Sequence, residues 1–135
     1  MPAIMADHDV EGQVQVLLRL LTSAEWCDIW QELAVRLESF AHLGIPVDSS
    51  DVELWRLCHA EQILLITGNR NSTGLESIET VIARNNTPTS LPVLTIGDPR
   101  RVFSSRTYAE QIVTRLLEYL LDLENFRGTG RLYLP

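Results

Sequence analysis

A chain of 135 residues, 45% hydrophobic and 21% charged, can bury a core without disulfide or metal staples and has an ordinary globular composition. No apolar run approaches the roughly 20 residues that span a bilayer, so no membrane partner is expected. A formal net charge of −7 argues against non-specific nucleic-acid binding, which depends on neutralising phosphate. The positive charge is nonetheless carried by arginine, which suits both bidentate phosphate contacts and surface ion pairs. The opening "MPAIMADHDVEG" has no basic region ahead of its first acids, unlike a signal peptide. A single domain over 1–135 in the cytoplasm is the expectation.

In chain order, "AIMA" (Ala3 to Ala6) reads as a short buried strand followed at once by Asp7. Val14, Leu17, Leu18 and Leu21 then mark a short helix. Thr22…Glu25 has the Ser/Thr-x-x-Glu pattern of a capping box, in which hydroxyl and carboxylate satisfy backbone N–H groups at a helix start. The stripe Trp26, Ile29, Trp30, Leu33, Leu37, Phe40 and Ala41 predicts one continuous helix from there, closed by Gly44 and Pro46. A short strand near Leu43 to Val47 is an alternative for part of that region. Ser50…Glu53 opens a helix with Val52, Trp55 and Cys58 inward. "ILLIT" (Ile63 to Thr67) is a continuous apolar run, as expected of a strand covered on both faces. Thr73…Glu76 opens a helix with Leu75, Ile78, Val81 and Ile82, and "PVLTI" (Pro92 to Ile96) is a third strand. Thr107…Glu110 opens the last long helix, ending near Asn125 to Gly128. From about residue 127, "RGTGRLYLP" reads as a tail that docks or pairs with another chain. Alternation of strand and helix predicts a three-layer α/β fold with a small, mostly parallel sheet.

Cys27 and Cys58 fall beside apolar residues without a C-x-x-C partner and read as buried free thiols. Of His8, His42 and His59, only His8, between two aspartates, sits where chemistry is plausible.

Ligands of open α/β sheets bind at the carboxyl ends of the strands. Three such ends are readable: Asp7-His8-Asp9 with Glu11 behind, Thr67-Gly68-Asn69-Arg70-Asn71, and Gly97-Asp98-Pro99-Arg100-Arg101. Asp51 adds a carboxylate at a helix start. Mg²⁺ takes oxygen ligands, commonly one or two carboxylates plus water, and Asp7 with Asp51 would supply such a pair. The structural alternative is that Asp9 caps a helix and Asp51 only complements a helix dipole. "GNRNSTG" links a strand to a helix, but it lacks the Gly-Lys-Ser/Thr ending of a Walker motif and is not G-x-G-x-x-G.

Three stretches, "IMADHD" at Ile4 to Asp9, "DVELWRLCHAEQILLIT" at Asp51 to Thr67, and the "GNRN" that follows, together resemble the PIN-like domain family, in particular its small toxin-like branch. The family pattern is a strand ending in aspartate, a middle helix opening on aspartate, and a strand of the form apolar-apolar-Thr-x-Asp-x-Asp. The likeness covers about the central two-thirds of the chain. It implies a Mg²⁺- or Mn²⁺-dependent ribonuclease, with Asp7 and Asp51 as metal-binding acids and Asp7, Asp51 and Asn69 at the catalytic positions. His8, Arg70 and Asn71 would lie against substrate. The departure is that both carboxylates of the acidic loop are amides here, Asn69 and Asn71, with Arg70 between them. Asparagine keeps an oxygen but loses the charge, so a weakened metal site is expected, with Glu11, Glu76 or Asp98 as replacement acids. The alternatives are a non-catalytic PIN-like binding or assembly module, and a small-anion or nucleotide-binding protein using the Asn-Arg-Asn loop.

RNA and a protein partner are the other expected partners, alongside a two-fold homodimer. The dimer expectation rests on Val113, Tyr119 and Leu121, which lie off the main stripe of the last helix, and on Leu132, Tyr133 and Leu134 of the tail. Unburied, they would form a larger apolar patch than monomers usually expose.

Overall fold

A computed structural model describes residues 2–68 and 77–135. Five strands form one parallel sheet: β1 (Ala3–Ala6), β2 (Arg36–Glu38), β3 (Ile63–Thr67), β4 (Val93–Ile96) and β5 (Arg131–Leu134). Their order across the sheet is β2-β1-β3-β4-β5. The helices are α1 (Glu11–Leu21), α2 (Cys27–Leu33), α3 (Phe40–Leu43), α4 (Asp51–Glu61), α5 (Ile78–Asn85), α6 (Arg101–Ser104), α7 (Arg106–Leu121) and α8 (Leu123–Phe126). The expected three-layer α/β architecture is present.

The apolar runs divide by the two-residue period of a strand. Ile4, Leu64, Ile66, Leu94 and Ile96 face one side, where they meet Val14, Leu17 and Leu21 of α1 and Ile112, Val113 and Leu116 of α7. Ala3, Met5, Ile63, Leu65 and Val93 face the other, against Leu54, Trp55 and Cys58 of α4 and Ile78, Val81 and Ile82 of α5. Strands buried on both faces have no polar alternation, which is why they read as continuous apolar runs.

The path of the chain sets the hand of its crossovers. The β1–β2 and β4–β5 connections pack on the α1–α7 face, and the β2–β3 and β3–β4 connections on the other. With this strand order, three connections share one hand and β4–β5 has the opposite one. Parallel crossovers are right-handed in nearly all folds, so the last return is the exception. It ends in a turn at Gly128 and Gly130, whose φ of 85° and 82° favour glycine.

Several sequence expectations are corrected. Thr22 does not open a helix. It ends α1, with its backbone N–H donating to the Leu18 carbonyl at 3.0 Å and its hydroxyl to the same carbonyl at 2.9 Å. The expected continuous helix breaks at Ala34, which takes a left-handed φ of 51°, and the chain then forms β2 beside β1. The break has a packing cause. Trp26, Ile29, Trp30 and Leu33 pack on the α1–α7 side of the sheet, whereas Phe40 is buried on the opposite side. One helix cannot serve both. No strand forms over Leu43 to Val47: Leu43 ends α3, and Gly44 caps it at φ 71°.

The Ser50…Glu53 box forms as read, with the Ser50 hydroxyl accepting from the Glu53 N–H at 3.2 Å. The cap of the last long helix is Ser105, which accepts from the Tyr108 N–H at 3.2 Å, rather than Thr107. That helix stops at Leu121, and Leu123–Phe126 forms a separate turn. The Thr73…Glu76 box lies outside the described residues, and α5 is capped by Ser77. The tail supplies β5, paired with β4 of its own chain, so its expected docking on another chain is corrected for Arg131–Leu134. Val113 and Tyr119 are buried, and the Tyr119 hydroxyl donates to the Tyr133 carbonyl at 2.9 Å. Among the described residues no helix is long and apolar enough to cross a membrane.

Candidate functional site

The strand order reverses between β1 and β3, since β2 follows on one side and β4 and β5 on the other. A crevice at the carboxyl ends of the strands is expected at that switch point. Asp7 is the first residue past β1 there. Its backbone N–H donates to the Ile66 carbonyl at 2.8 Å, which ties it to β3 beyond the end of its own strand.

The Asp7 carboxylate is held on both oxygens. Oδ1 accepts from the His8 backbone N–H at 2.7 Å, capping a 3-10 turn over His8–Val10. Oδ2 accepts from the Thr67 hydroxyl at 2.8 Å. Thr67 is fully buried at the end of β3, so its hydroxyl direction is fixed by the sheet.

Asp9 reaches toward Gly68, whose N–H lies 3.5 Å from its Oδ1. Gly68 has no room for a side chain: a Cβ there would come within 2.9 Å of Pro99 Cγ, 3.0 Å of Val10 Cγ1 and 3.1 Å of Asp9 Oδ2. Burial, and then the charges of Asp7 and Asp51, raise the Asp9 pKa above its ordinary value, against the lowering effect of the backbone N–H groups of Gly68 and Asp9 itself.

Asp51 is the first residue of α4. Since α4 leads directly into β3, its N-terminus lies at the same edge as the strand carboxyl ends. The action of Asp51 on Asp9 agrees with that placement. The helix-start role and the site position therefore coexist. Asp7 and Asp51 come to one edge as the spacing suggested, with Asp9 as a third acid.

His8 is exposed at this edge and engaged with Glu11, Nδ1 to Oε1 at 2.6 Å. Its ring meets Phe40 edge-on at 6.5 Å between centroids. Asp98 follows β4 on the surface, and its backbone N–H donates to the Tyr108 hydroxyl at 2.8 Å. Asn69, Arg70, Asn71 and Glu76 lie outside the described residues. Cys58 is a buried free thiol, its pKa pushed up to about 12 by burial and by Asp7, while Cys27 is half-buried.

Sequence reasoning left Thr67 and Asp9 out of the site. A threonine closing an apolar run was the available signal for the first. For Asp9 the local pattern pointed to a cap, and its neighbours come from distant parts of the chain.

Among the described residues no group of three or more His, Cys, Asp and Glu side chains converges to hold a metal ion. The donor chemistry still fits one hard cation, because Mg²⁺ is commonly bound by one or two carboxylates with water filling the remaining positions. The chain matches no protein-family model, no curated protein and no solved structure.

Proposed function

We propose that the protein is a PIN-like, Mg²⁺- or Mn²⁺-dependent ribonuclease with a weakened acidic site. The supporting observation is the crowding of Asp7, Asp9 and Asp51 at the β1/β3 switch point, which raises the Asp9 pKa. A bound cation would relieve that repulsion. Asp7 and Asp51 are the residues that would hold it, and its chemistry would be to activate water and stabilise the leaving oxygen of a phosphodiester. In this reading Thr67 orients Asp7, and Asn69, Arg70, Asn71 and His8 face the substrate. The location is the cytoplasm, where the thiols of Cys27 and Cys58 stay reduced. The protein is a two-fold homodimer.

The test combines Mn²⁺ titration with thermal melting and single-stranded RNA cleavage. Mn²⁺ should raise the melting temperature by mass action, and both this shift and cleavage should vanish in Asp7→Asn. Restoring a carboxylate in Asn69→Asp should tighten Mn²⁺ binding. Equal Mn²⁺ affinity in wild type and Asn69→Asp would remove Asn69 from the site.

A second reading is a non-catalytic PIN-like module that recognises a protein partner. It is favoured by Asp7 having both oxygens hydrogen-bonded within the chain. It would be supported by a flat Mn²⁺ titration together with no cleavage in wild type or Asn69→Asp.

A further inference from the structure

The segment that follows β4 carries an aromatic and arginine surface which the carboxylate site does not use. Phe103 in α6 is 61% exposed, the most exposed of the large apolar side chains described. Its ring tip rests on α1 at Gly12, where a Cβ would come within 3.1 Å of Phe103 Cζ. A glycine inside a helix costs about 1 kcal/mol relative to alanine, and here it makes the seat for that ring.

Beside Phe103 runs a groove of about 380 Å³ between α1 and the α6–α7 corner, with Arg19 and Arg106 at its sides and Leu20 and Val102 in its lining. Arg100 and Arg101 immediately precede Phe103 on the chain, and the Arg101 guanidinium lies over the Tyr108 ring at 4.9 Å. Arg106 has an exposed partner in Glu110 at 3.8 Å, a weak surface pair that a phosphate can displace. In a chain of net charge −7, an exposed aromatic ring beside several arginines is a local reversal of sign. The surface also continues into the carboxylate site, because Pro99 packs against Gly68 next to Asp9.

The geometry points to this surface as a binding track for single-stranded RNA, with a base stacked on Phe103 and phosphates on Arg19, Arg100 and Arg106. Bases stack on exposed aromatic rings without sequence preference while cationic side chains follow the backbone. The direction of the track, toward Asp9 and Asp7, rests on the ribonuclease reading, whereas the binding itself does not need a metal.

The experiment is fluorescence anisotropy with a labelled oligouridylate of about twelve nucleotides, within the usual site sizes, in EDTA so that binding is read apart from cleavage. Phe103→Ala should weaken binding about tenfold, and Phe103→Trp should retain it. Arg19→Gln combined with Arg106→Gln should lower the slope of log affinity against log salt by roughly two. Melting curves check that each variant is folded. Unchanged affinity in Phe103→Ala would overturn the proposal, as would a wild type that ignores the oligonucleotide and instead binds a glutamate-rich peptide containing phenylalanine. Binding that depends on Phe103, with no cleavage under Mn²⁺, would leave this surface standing and remove the ribonuclease reading. Metal-dependent cleavage with affinity indifferent to Phe103 and the arginines would do the reverse.

Discussion

The Thr67 hydroxyl donates to Asp7 Oδ2 at 2.8 Å across 60 residues of chain, joining the ends of two neighbouring strands through side chains. The backbone bond from Asp7 to Ile66 runs parallel to it. Together they hold the Asp7 carboxylate at the strand edge, and the hydroxyl bond is the part that a substitution can remove.

Thr67→Val keeps the branched shape and deletes that donor. The loss should be about 1–3 kcal/mol, the usual cost of leaving a buried polar group short of a partner. The lower end is expected because Asp7 is only half-buried and water can take the vacated position. Urea unfolding measures this as a fall in midpoint at constant slope. An unchanged midpoint would show that the bond contributes nothing to stability.

Asp9 should give the opposite pH dependence from an ordinary paired carboxylate. Its folded pKa is raised above the model value of 3.8 by burial, then by Asp7, with a smaller contribution from Asp51. The folded state therefore binds its proton more tightly than the unfolded state does. Below the unfolded pKa both states are protonated and the group is neutral to stability. As pH rises through the unfolded and then the folded pKa, stability falls, and the deficit persists above the folded value. Asp9→Asn removes this term and keeps an oxygen for the Gly68 N–H. The variant should be more stable than wild type at neutral pH, with the difference closing on acidification below about pH 4. Unfolding curves across that range decide it. A variant less stable than wild type by the same amount at every pH would show that the carboxylate is structural.

Helix starts provide a test of how local signals were resolved. Ser105 accepts from the Tyr108 N–H, whereas Thr107 lies inside the first turn of α7 and is exposed. Ser105→Ala should cost about 1 kcal/mol, and Thr107→Ala should be close to neutral. Thermal melting of the two variants measures the contrast, and equal losses would contradict the assigned cap.

The same competition explains what was legible in the sequence. β1, β3 and β4 were readable because burial on both faces makes them unbroken apolar runs. β2 was not. Arg36-Leu37-Glu38 is a three-residue edge strand with mostly exposed side chains, set within a pattern of helical period. That pattern arises from residues serving two different faces of the sheet. β5 was hidden behind Gly128 and Gly130, whose role is a turn. At the site, Asp7 and Asp51 were visible because each sits at the end or start of a legible element. Thr67 and Asp9 gain their meaning from partners 60 and 59 residues away, which leaves no local trace.

The tail separates stability from association. Leu134 is fully buried in the core beside α7, and β5 pairs with β4 from Arg131 to Leu134. Leu134→Ala should therefore cost about 2–5 kcal/mol as a buried large-to-small change. Deleting 131–135 should abolish the cooperative transition rather than release a folded monomer. The dimer expectation must then rest on what the tail leaves outside. Tyr133 is 49% exposed, on an edge strand with only β4 as its neighbour. An unpaired edge offers backbone groups to a second copy, and a two-fold contact would bring the same edge from each subunit together. Tyr133→Lys should leave the melting temperature of the subunit nearly unchanged while lowering the mass measured by sedimentation equilibrium, because a like charge would be repeated across the two-fold axis. A wild type that sediments as a monomer across micromolar concentrations would overturn the dimer. A dimer indifferent to Tyr133→Lys would move the contact away from β5.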